Sequence, residues 1–374
     1  MDVSQSTWSG GAWSTFGNHT GPPDAVLVFG GRAVLQKGAA LNALSKIFPA
    51  DRIYGCSTAG EILGTHVQDD GCVATALWLN RSKLVAVQAS ISEARDAVAL
   101  GRLLAQRLGH PERLAHAFIL SDGLQVNGSQ LVRGLTEGLP AGVTLSGGLS
   151  GDDVAMKSTV VCHQGAVASG MVTLLAFCGD IEVGIGSLGG WQAFGPIRRV
   201  TKSTGNVLHE LDGEPALALY KRYLGPHAEG LPSSALLFPL QVTVPGSHPV
   251  VRTILGVSEA DGTMTFAGDV PEGATAQLMR ANNDRLIDGA IGAATATHLH
   301  GHRKPGLALL VSCVGRKLVL KQRVEEELEA VAEVLGTDVA LTGFYSYGEV
   351  APFSHDQPCQ LHNQTLTITT LSEA

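Results

Sequence analysis

The sequence predicts an α/β fold of the mixed α+β kind, built as two pseudo-symmetric halves in which mixed or antiparallel sheets are flanked by helices. Three observations support this prediction. Apolar runs typical of buried strands alternate with amphipathic helical stretches, glycine accounts for 46 of 374 residues, and one order of motifs occurs twice. A chain with 44% apolar and 16% charged residues is typical of a globular protein with many tight strand ends.

The first half begins after a segment of weak pattern. Residues 1–23 hold a single charged side chain, Asp2, among mainly small and polar residues, which predicts a flexible N-terminal arm. From residue 25 the run AVLVFGG predicts a strand. The spacing of Leu41, Leu44 and Phe48 then predicts a helix, and RIYGCSTAGEI predicts a second strand that ends in a loop. The same half contains further strand-like runs at 72–79, 84–89, 117–123, 171–177 and 181–187, and a helix over about 128–138.

Residues 205–374 form the predicted second half. The pattern changes near the turn signal Asp212-Gly213, and we place the boundary between residues 204 and 205, which gives domains 24–204 and 205–374. Helices are predicted over 281–299 and 324–335, and a buried strand over 307–313. The C-terminal run LHNQTLTITT alternates, which predicts one strand with His362 and Gln364 on the same face.

An internal repeat links the two halves. GCSTAGEI at 55–62 and GFYSYGEV at 343–350 share Gly, Ser or Thr, Gly, Glu and an aliphatic residue at the same spacing. The first follows FGGR, which ends at Arg32, and the second follows CVGR, which ends at Arg316, in each case with a helix between. This repeated order predicts a duplication. SGGLSGDD at 146–153 is a looser third example.

The two Gly-Glu loops are candidates for a binding rim. Glycine after a strand lets backbone amides approach a ligand, and the adjacent glutamate supplies a fixed charge or acceptor. In a pseudo-symmetric protein we expect the equivalent loops to meet at the cleft between the halves. The alternative is that each glutamate only accepts hydrogen bonds from neighbouring amides.

Charge and cysteine usage exclude several classes of protein. The net charge is −8 and the chain has no long basic run, so nucleic acid and anionic membranes are not expected as partners. The longest nearly apolar run, 168–179, is too short to span a bilayer. The six cysteines have no Cys-x-x-Cys spacing, which indicates reduced thiols and a cytoplasmic location.

These motifs resemble one known family. FGGR, GCSTAGEI and GGLSGD resemble the FIST N-terminal region, whereas SCVGR, GFYSYGEV and LHNQT resemble the FIST C-terminal region, and the resemblance covers about residues 24–371. It implies a sensory protein for small ligands, with amino acids among the proposed ligands. Stand-alone bacterial members include nitric-oxide-sensing haemoproteins that act on partner histidine kinases. The resemblance therefore implies a small-molecule ligand, a kinase or other signalling partner, and haem b as cofactor.

The candidate ligand-binding residues lie in the repeated motifs. We expect Arg32 and Arg316 to bind an anionic group such as a carboxylate or a haem propionate, since Arg is a planar two-pronged donor. The alternative is a salt bridge from each arginine to the glutamate of its own half. The full set of candidates is Arg32, Ser57, Thr58, Glu61, Cys313, Arg316, Tyr345, Tyr347, Glu349, His362 and Asn363. The C-terminal motifs hold more of these side chains, so we expect the ligand on that side.

Haem would need an axial ligand such as histidine, for which His362 and His298 are the candidates. A buried His362 bonded to backbone is equally expected, and His298, with His300 and His302, also suits a helix end. His66 and His355 follow the two Gly-Glu loops. The sequence does not choose among them.

Cys313 supports an enzymatic alternative. It ends a strand before the Gly315-Arg316 turn, where a guanidinium could lower the pKa of its thiol. With His362 and Glu349 it could form a nucleophile, a base and an orienting acid of a hydrolase or transferase. Phe29 stands at the matching position of FGGR, however, and we expect a buried, inert cysteine and a protein that is not an enzyme.

Overall fold

The computed structural model of the chain describes residues 1–298, 303–353 and 357–373. Three of its sheets share one strand order, and a fourth, eight-stranded sheet is inserted between the second and third. The chain starts with β1 (Asp2–Ser9) and β2 (Ala12–Trp13). The first unit follows as β3 (Ala25–Gly30), α1 (Arg32–Lys37), α2 (Ala39–Leu44), β4 (Ile53–Ser57), β5 (Glu61–Leu63), β6 (His66–Gln68), β7 (Cys72–Trp78) and β8 (Ser82–Ser90).

The remaining elements follow in chain order. The second unit contains α3 (Ala97–Leu108), β9 (Leu114–Ser121), α4 (Gly128–Gly138), β10 (Thr144–Leu149), β11 (Val161–His163), β12 (Ala166–Ala168), β13 (Met171–Gly179) and β14 (Ile181–Leu188). The inserted sheet contains β15 (Gln192–Thr204), β16 (Val207–Leu211), β17 (Glu214–Pro215), α5 (Ala216–Leu224), β18 (Leu240–Thr243), β19 (Val250–Arg252), β20 (Ile254–Ser258), β21 (Thr263–Phe266) and β22 (Thr275–Arg280). The third unit contains α6 (Asn283–Thr297), β23 (Leu307–Cys313), α7 (Val314–Leu320), α8 (Val324–Leu335), β24 (Ala340–Ser346), β25 (Gly348–Pro352), β26 (Cys359–His362) and β27 (Leu366–Glu373).

Each of the three similar sheets is centred on a parallel strand pair joined by helix. The pairs are β3 with β4, β9 with β10 and β23 with β24. On the far side of the first strand of each pair runs an antiparallel strand, which is β7, β13 or β27. Because the crossover returns each second strand parallel to the first, the carboxyl ends of both strands lie at the same edge of the sheet. The repeated loops start at that edge, after β4, β10 and β24.

The three units exchange strands in a cycle. The hairpin β5–β6 of the first unit pairs with β24, the hairpin β25–β26 of the third pairs with β10, and the hairpin β11–β12 of the second pairs with β4. The outer strand of each sheet is also supplied by another part of the chain, since β8 pairs with β13, β14 with β27 and β1 with β7. The predicted repetition of mixed sheets is therefore present, and it extends to three units.

The core lies between the inner faces of these sheets. Alternate residues of the central strands point inward, among them Phe29, Phe118 and Val311, and all three are at most 1% exposed. The rings of Phe29 and Phe344 stack with their centroids 4.9 Å apart. Burial of one such side chain contributes about 1.5–3 kcal/mol. The opposite faces pack against helices, with α1 and α2 on the first sheet and α3, α4, α6 and α8 on the other two.

The predicted domain boundary lies inside the inserted sheet. Strands β15 and β16 form an antiparallel hairpin around Gly205, and both continue one sheet with the order β19-β18-β22-β15-β16-β21-β20. The chain thus turns between residues 204 and 205 but stays in the same sheet. The Asp212-Gly213 signal marks a second tight turn, between β16 and β17, with Asp212 at φ 51° and Gly213 at φ 81°.

The structure differs from the prediction of a flexible arm for residues 1–23. Strand β1 pairs with β7 over six residues, from Asp2 opposite Trp78 to Thr7 opposite Val73. Ser4 and Ser6 are buried, and the Trp13 indole donates to Ala40 O (2.9 Å). Polar residues alternate between buried and more exposed positions in this segment, which suits a strand near the edge of a sheet. The prediction used the composition of the segment and did not consider this alternation.

The C-terminal run is also different from the predicted single strand. It forms β26 up to His362 and β27 from Leu366, and Gln364 between them has φ 65°. The corner breaks the alternation, so His362 and Gln364 do not share a strand face. The predicted helices at 128–138 and 324–335 and the strand at 307–313 are confirmed to the residue. Among the described residues, no helix is both long and apolar enough to cross a membrane.

Candidate functional site

The three repeated loops form a closed ring, which we call the loop ring (residues 57–61, 149–153 and 345–349). Each loop donates one backbone amide to the next: Ala59 N–H to Tyr345 O (2.8 Å), Tyr347 N–H to Leu149 O (3.1 Å) and Gly151 N–H to Ser57 O (2.9 Å). These three bonds join equivalent positions of the motifs. The loops of the first and third units, which the sequence predicted to meet, are therefore in direct contact, and the looser middle motif completes the ring.

One glycine per unit allows the strands to approach closely before the loops begin. Gly55, Gly147 and Gly343 lie opposite Val28, Ile119 and Leu310 in the three parallel pairs. A β-carbon at any of these glycines would clash with the carbonyl oxygen of its partner. The repeated glycine thus serves strand packing, and it lies beneath the ring.

The glutamates of the two Gly-Glu loops are buried acceptors. Glu61 accepts from the Thr58 hydroxyl (2.5 Å) and from Gly71 N–H (3.0 Å). Glu349 accepts from Ser346 Oγ (2.7 Å), and its other oxygen accepts from Thr365 N–H and Oγ1 (3.0 Å each). This is the alternative in which each glutamate satisfies neighbouring groups.

Burial changes the ionisation of both carboxyl groups. Glu61 is 1% exposed and Glu349 is fully buried. Desolvation raises the pKa of Glu61 to about 7 and that of Glu349 to about 8, although their hydrogen bonds act in the opposite direction. At neutral pH Glu349 is therefore held mainly as a neutral acid.

The middle loop carries no equivalent glutamate. Its pairing with β4 places Val161 at the register that Glu61 and Glu349 occupy in the other units. Asp152 instead accepts from Lys157 N–H (2.9 Å) and Ser158 N–H (3.0 Å) in the extra segment that precedes Val161. The middle unit thus keeps the loop but has Val161 at the position of the glutamate, and Asp152 is the buried acceptor there.

A cavity of about 180 Å³, which we call the loop cavity, lies between the loop ring and the inserted sheet. Leu149 and Tyr347 belong to the ring, Asn127 and Gly128 begin α4, and Phe266 belongs to the inserted sheet. The rest of the lining is Gly123, Leu124, Val126, Asn206, Leu255, Ala267 and Gly268. Carboxyl strand ends, a helix start and a second sheet meet here, which is a usual place for ligands in α/β proteins.

The sequence prediction missed most of this cavity. Of the candidate residues only Tyr347 lines it. Asn127 had a signal, because it precedes an amphipathic stretch as an N-cap, and its side chain accepts from Gln130 N–H (3.1 Å). Asn206 and Phe266 had none, because a strand sequence does not indicate which other sheet it covers.

Comparison with protein-family models assigns the chain. The FIST N domain matches residues 24–214, and the FIST C domain matches residues 216–352. The chain belongs to the FIST family. FIST domains are sensory domains of signal transduction that bind small ligands. No individually curated protein is significantly similar to the chain. The first two sheet units fall within the FIST N domain, while the FIST C domain includes most of the inserted sheet and the third unit up to β25.

The two arginines of the FIST motifs are not structurally equivalent. Gly55 lies opposite Val28, and the equivalent Gly343 lies opposite Leu310. Three residues farther along, Gly31 therefore corresponds to Cys313, and these two residues are the N-caps of α1 and α7. Arg32 therefore corresponds to Val314, and Arg316 lies two residues farther along its helix. The sequence alignment of FGGR with CVGR, and of Phe29 with Cys313, is wrong by two residues.

The partners of these arginines also differ from the prediction. Arg316 is fully buried, and its guanidinium binds Glu327 (Nη2–Oε2 2.8 Å), Leu286 O (2.8 Å) and Gly189 O. Arg32 donates to Ser158 Oγ (2.9 Å) and lies 3.8 Å from Asp152. The expected pairs with Glu61 and Glu349 do not form. Arg316 has a structural role, and Arg32, with 30% of its side chain exposed, keeps access to solvent.

The other motif side chains make hydrogen bonds inside the protein. Ser57 is fully buried and its Oγ accepts from Val160 N–H (3.0 Å), which leaves it inside the ring. Tyr345 is buried and donates to Glu327 (2.6 Å), so it supports Arg316. Tyr347 donates to Asp152, which joins the third loop to the second.

Cys313, His362 and Glu349 form a cluster of buried residues around the β25–β26 hairpin, but among the described residues no hydrogen bond joins their three side chains. His362 is opposite Glu349 in the hairpin, and Cys313 N–H donates to Thr365 O (3.1 Å). Burial, with the charge of Glu349, raises the pKa of the Cys313 thiol far above its usual value. The His362 Nε2–H donates to Ala351 O (3.0 Å), and burial lowers its pKa to about 4. The Arg316 guanidinium acts to lower the thiol pKa, as expected, but desolvation outweighs it, so the net pKa is raised and the expected thiolate is not favoured.

Two polar atoms beside this cluster have no hydrogen-bond partner among the described residues. They are Asn363 Nδ2 and Gln364 Oε1, and both side chains are fully buried. Asn363 Oδ1 accepts from Thr253 N–H (3.3 Å) and Gln364 Nε2 donates to Thr253 Oγ1 (3.0 Å). The pair therefore connects the corner after β26 to the inserted sheet.

The haem-ligand candidates lie away from the loop cavity. His298 is exposed and ends α6, and His362 is buried as described above. His66 lies on the surface, 3.4 Å from Glu325. His300, His302 and His355 lie outside the described residues. Within the described ranges, no three His, Cys, Asp or Glu side chains are grouped so that they could hold a metal ion.

Proposed function

We propose that this FIST protein is a cytoplasmic sensor that binds a small metabolite in the loop cavity and transmits the bound state to a partner histidine kinase or another signalling protein. The position of the cavity is the main support. Its walls come from the loop ring, from the start of α4 and from the inserted sheet. A ligand there would contact both FIST domains at once, which would couple their relative stability to binding.

The walls favour a ligand with one polar end and one apolar end, such as an amino acid. Gly128 begins α4, and a helix start attracts a carboxylate. Leu124, Val126 and Leu255 supply apolar surface on the same cavity. A volume of about 180 Å³ lies below the roughly 300–1,000 Å³ of pockets for drug-sized ligands, which favours a molecule of amino-acid size.

Haem with nitric oxide as the signal is the second version of this proposal. The residues of the loop cavity do not fit haem, because no histidine or cysteine lines it. Haem binding would therefore need another place, with His298 or His362 as axial ligand. His362 would first have to give up its hydrogen bond to Ala351 O. A Soret band in the freshly purified protein, shifted by nitric oxide, is the result that would favour haem over a metabolite.

Thermal denaturation with a panel of amino acids and small metabolites tests the first version. A ligand at 100 times its Kd should stabilise the native protein by about 2.7 kcal/mol. Leu255→Trp should fill the cavity and abolish this stabilisation. Ile197→Trp is the matched control, because Ile197 is 63% exposed in the same sheet and does not line the cavity. Equal stabilisation of both variants would place the ligand elsewhere, and no stabilisation by any compound would contradict the proposal.

An enzyme that depends on Cys313 is the remaining alternative. The FIST family is sensory and not catalytic, and the buried thiol with its raised pKa gives little thiolate at neutral pH. Alkylation by iodoacetamide at pH 7.5 separates the two possibilities. We expect Cys313 to react only on unfolding, whereas rapid modification of native Cys313 would favour the enzyme.

A further inference from the structure

Arg252, the last residue of β19, is a buried arginine that has no carboxylate within ion-pair distance among the described residues. The residue is only 6% exposed to solvent. Nε donates to Asp269 O (3.1 Å) and Nη1 donates to Leu361 O (2.8 Å), so both partners are backbone carbonyls. Nη2 has no hydrogen-bond partner within the described residues, and no carboxylate there lies within ion-pair distance.

This arrangement is costly for a cation. A buried charge is normally paired, because the desolvation penalty of an isolated ion amounts to several kcal/mol. Burial lowers the pKa of Arg252 to about 10, although the charge of Asp269 acts in the opposite direction. The Asp269 carboxylate itself accepts from Asn127 Nδ2 (3.0 Å). Arg252 remains protonated at neutral pH and keeps an unused donor.

The guanidinium borders a cavity of about 290 Å³ between α4, β26 and the inserted sheet, which we call the arginine cavity. Arg133 lines the same cavity from α4, is exposed, and has no partner among the described residues. Ser129 adds a hydroxyl, and Val132 and Leu361 add apolar surface. Among the residues that the structure describes, the one acid on the cavity is Glu137, which is already paired with Arg102 (2.6 Å).

We propose that the arginine cavity binds a small organic anion, whose carboxylate or phosphate group is held between Arg252 and Arg133 while its apolar part lies against Val132 and Leu361. Arg is suited to this role because its planar donors bind either anion in a bidentate manner. The anion would supply the counter-charge that no described carboxylate gives Arg252 by direct pairing.

This site is separate from the loop cavity. Ser129 and Gly268 stand between the two, since a β-carbon on Gly268 would lie 2.9 Å from Ser129 Oγ and 3.0 Å from Arg252 Nε. The arginine cavity therefore goes beyond the proposed metabolite site, and either site can be tested without the other.

Anion titration of the full chain, followed by its melting temperature, tests the proposal. Sodium phosphate, sodium acetate and sodium chloride are compared at equal ionic strength. We expect phosphate or acetate to raise the Tm where chloride does not, and the more effective of the two identifies the anionic group. Arg133→Gln should weaken the apparent affinity about tenfold or more, the effect of one charge-assisted hydrogen bond. Arg252→Gln should abolish the response.

Arg280→Gln is the matched control. Arg280 is an exposed arginine of the inserted sheet, it has no described partner, and it does not line the cavity. Its loss changes the net charge by the same amount and should leave the anion response unchanged. If Arg252→Gln does not fold, Arg133→Gln against Arg280→Gln decides. A response equal in these two variants, or no effect of phosphate and acetate beyond that of chloride, would overturn the proposal.

Discussion

At the scale of single residues, the buried glutamates give the molecule an unusual dependence on pH. Unfolded glutamate loses its proton near pH 4.3, whereas folded Glu349 keeps it up to a pKa of about 8. Between these values the unfolded state binds fewer protons, so the free energy of unfolding falls as the pH rises. Glu349→Gln imitates the protonated form. We expect the free energy of unfolding of the variant to exceed that of the wild type by about 5 kcal/mol at pH 8.5 and by only about 1 kcal/mol at pH 5.

Urea unfolding at pH 5, 7 and 8.5 measures this effect. Glu61→Gln should shift the curve in the same direction by less, because the pKa of Glu61 is raised only to about 7. Glu229 is the control, since it lies on the surface and its replacement by Gln should leave the pH dependence as it is. A Glu349→Gln variant that loses stability equally at all three pH values would show that the carboxyl group is ionised in the native state.

The buried residues also show why the sequence indicated the site only in part. GCSTAGEI and GFYSYGEV were enough to predict that Glu61 and Glu349 occupy matching loops. The roles of Arg32 and Arg316 were not accessible, because two short Gly-Arg motifs align without gaps in sequence while the strand register offsets them by two residues. The acid that binds Arg316, Glu327, lies in α8, and its apolar neighbours predicted only an amphipathic helix.

At the scale of elements, the contact between the parallel strands depends on the glycine that begins each repeated motif. In the third unit Gly343 lies against Leu310 O so closely that a β-carbon would clash. Gly343→Ala must therefore separate β23 from β24 and disturb the loop that follows. We expect a loss of about 3 kcal/mol or more in the free energy of unfolding, at the upper end for overpacked positions.

Gly256→Ala is the matched control for this prediction. Gly256 also lies in a strand, β20, but a β-carbon there meets open space and its φ is not in the left-handed region. Chemical denaturation should show little change for this variant. If Gly256→Ala and Gly343→Ala lowered the free energy of unfolding by similar amounts, the loss would come from replacing any strand glycine and not from the close approach of β23 and β24.

At the scale of the whole molecule, the sequence predicted the mixed α+β class and the repetition, but it did not predict the cyclic exchange among three units. The middle motif has Val161 at the position of the glutamate, so only Gly147 and its loop remain recognisable. Strand β1 is the outer strand of the first sheet, and by the three-fold order it would follow β27 of the third unit. It lies instead at the opposite end of the chain. The inserted sheet then separates the second unit from the third and blurs the period.

The three-fold order makes one prediction about the chain as a whole. Strand β1 pairs with β7 as β8 pairs with β13 and β14 pairs with β27, and the Met1 ammonium group lies 3.2 Å from Glu373. The junction between β27 and β1 thus corresponds to the turn between β13 and β14. A circular permutant that joins residue 374 to Met1 by a short Gly-Ser linker and opens between Asp180 and Ile181 should fold, because β14 then starts the chain as β1 does now.

Circular dichroism and urea unfolding measure the outcome, and we expect the permutant to lie within about 2 kcal/mol of the wild type, since all sheet pairs are kept. The comparison is a chain that lacks residues 1–13. It leaves the edge of β7, a strand whose residues Cys72–Leu77 are all buried, without its partner, so it should be much less stable or insoluble. A stable truncated chain together with an unfolded permutant would show that β1 is not an integral strand of the first sheet and that the three-fold order does not govern folding.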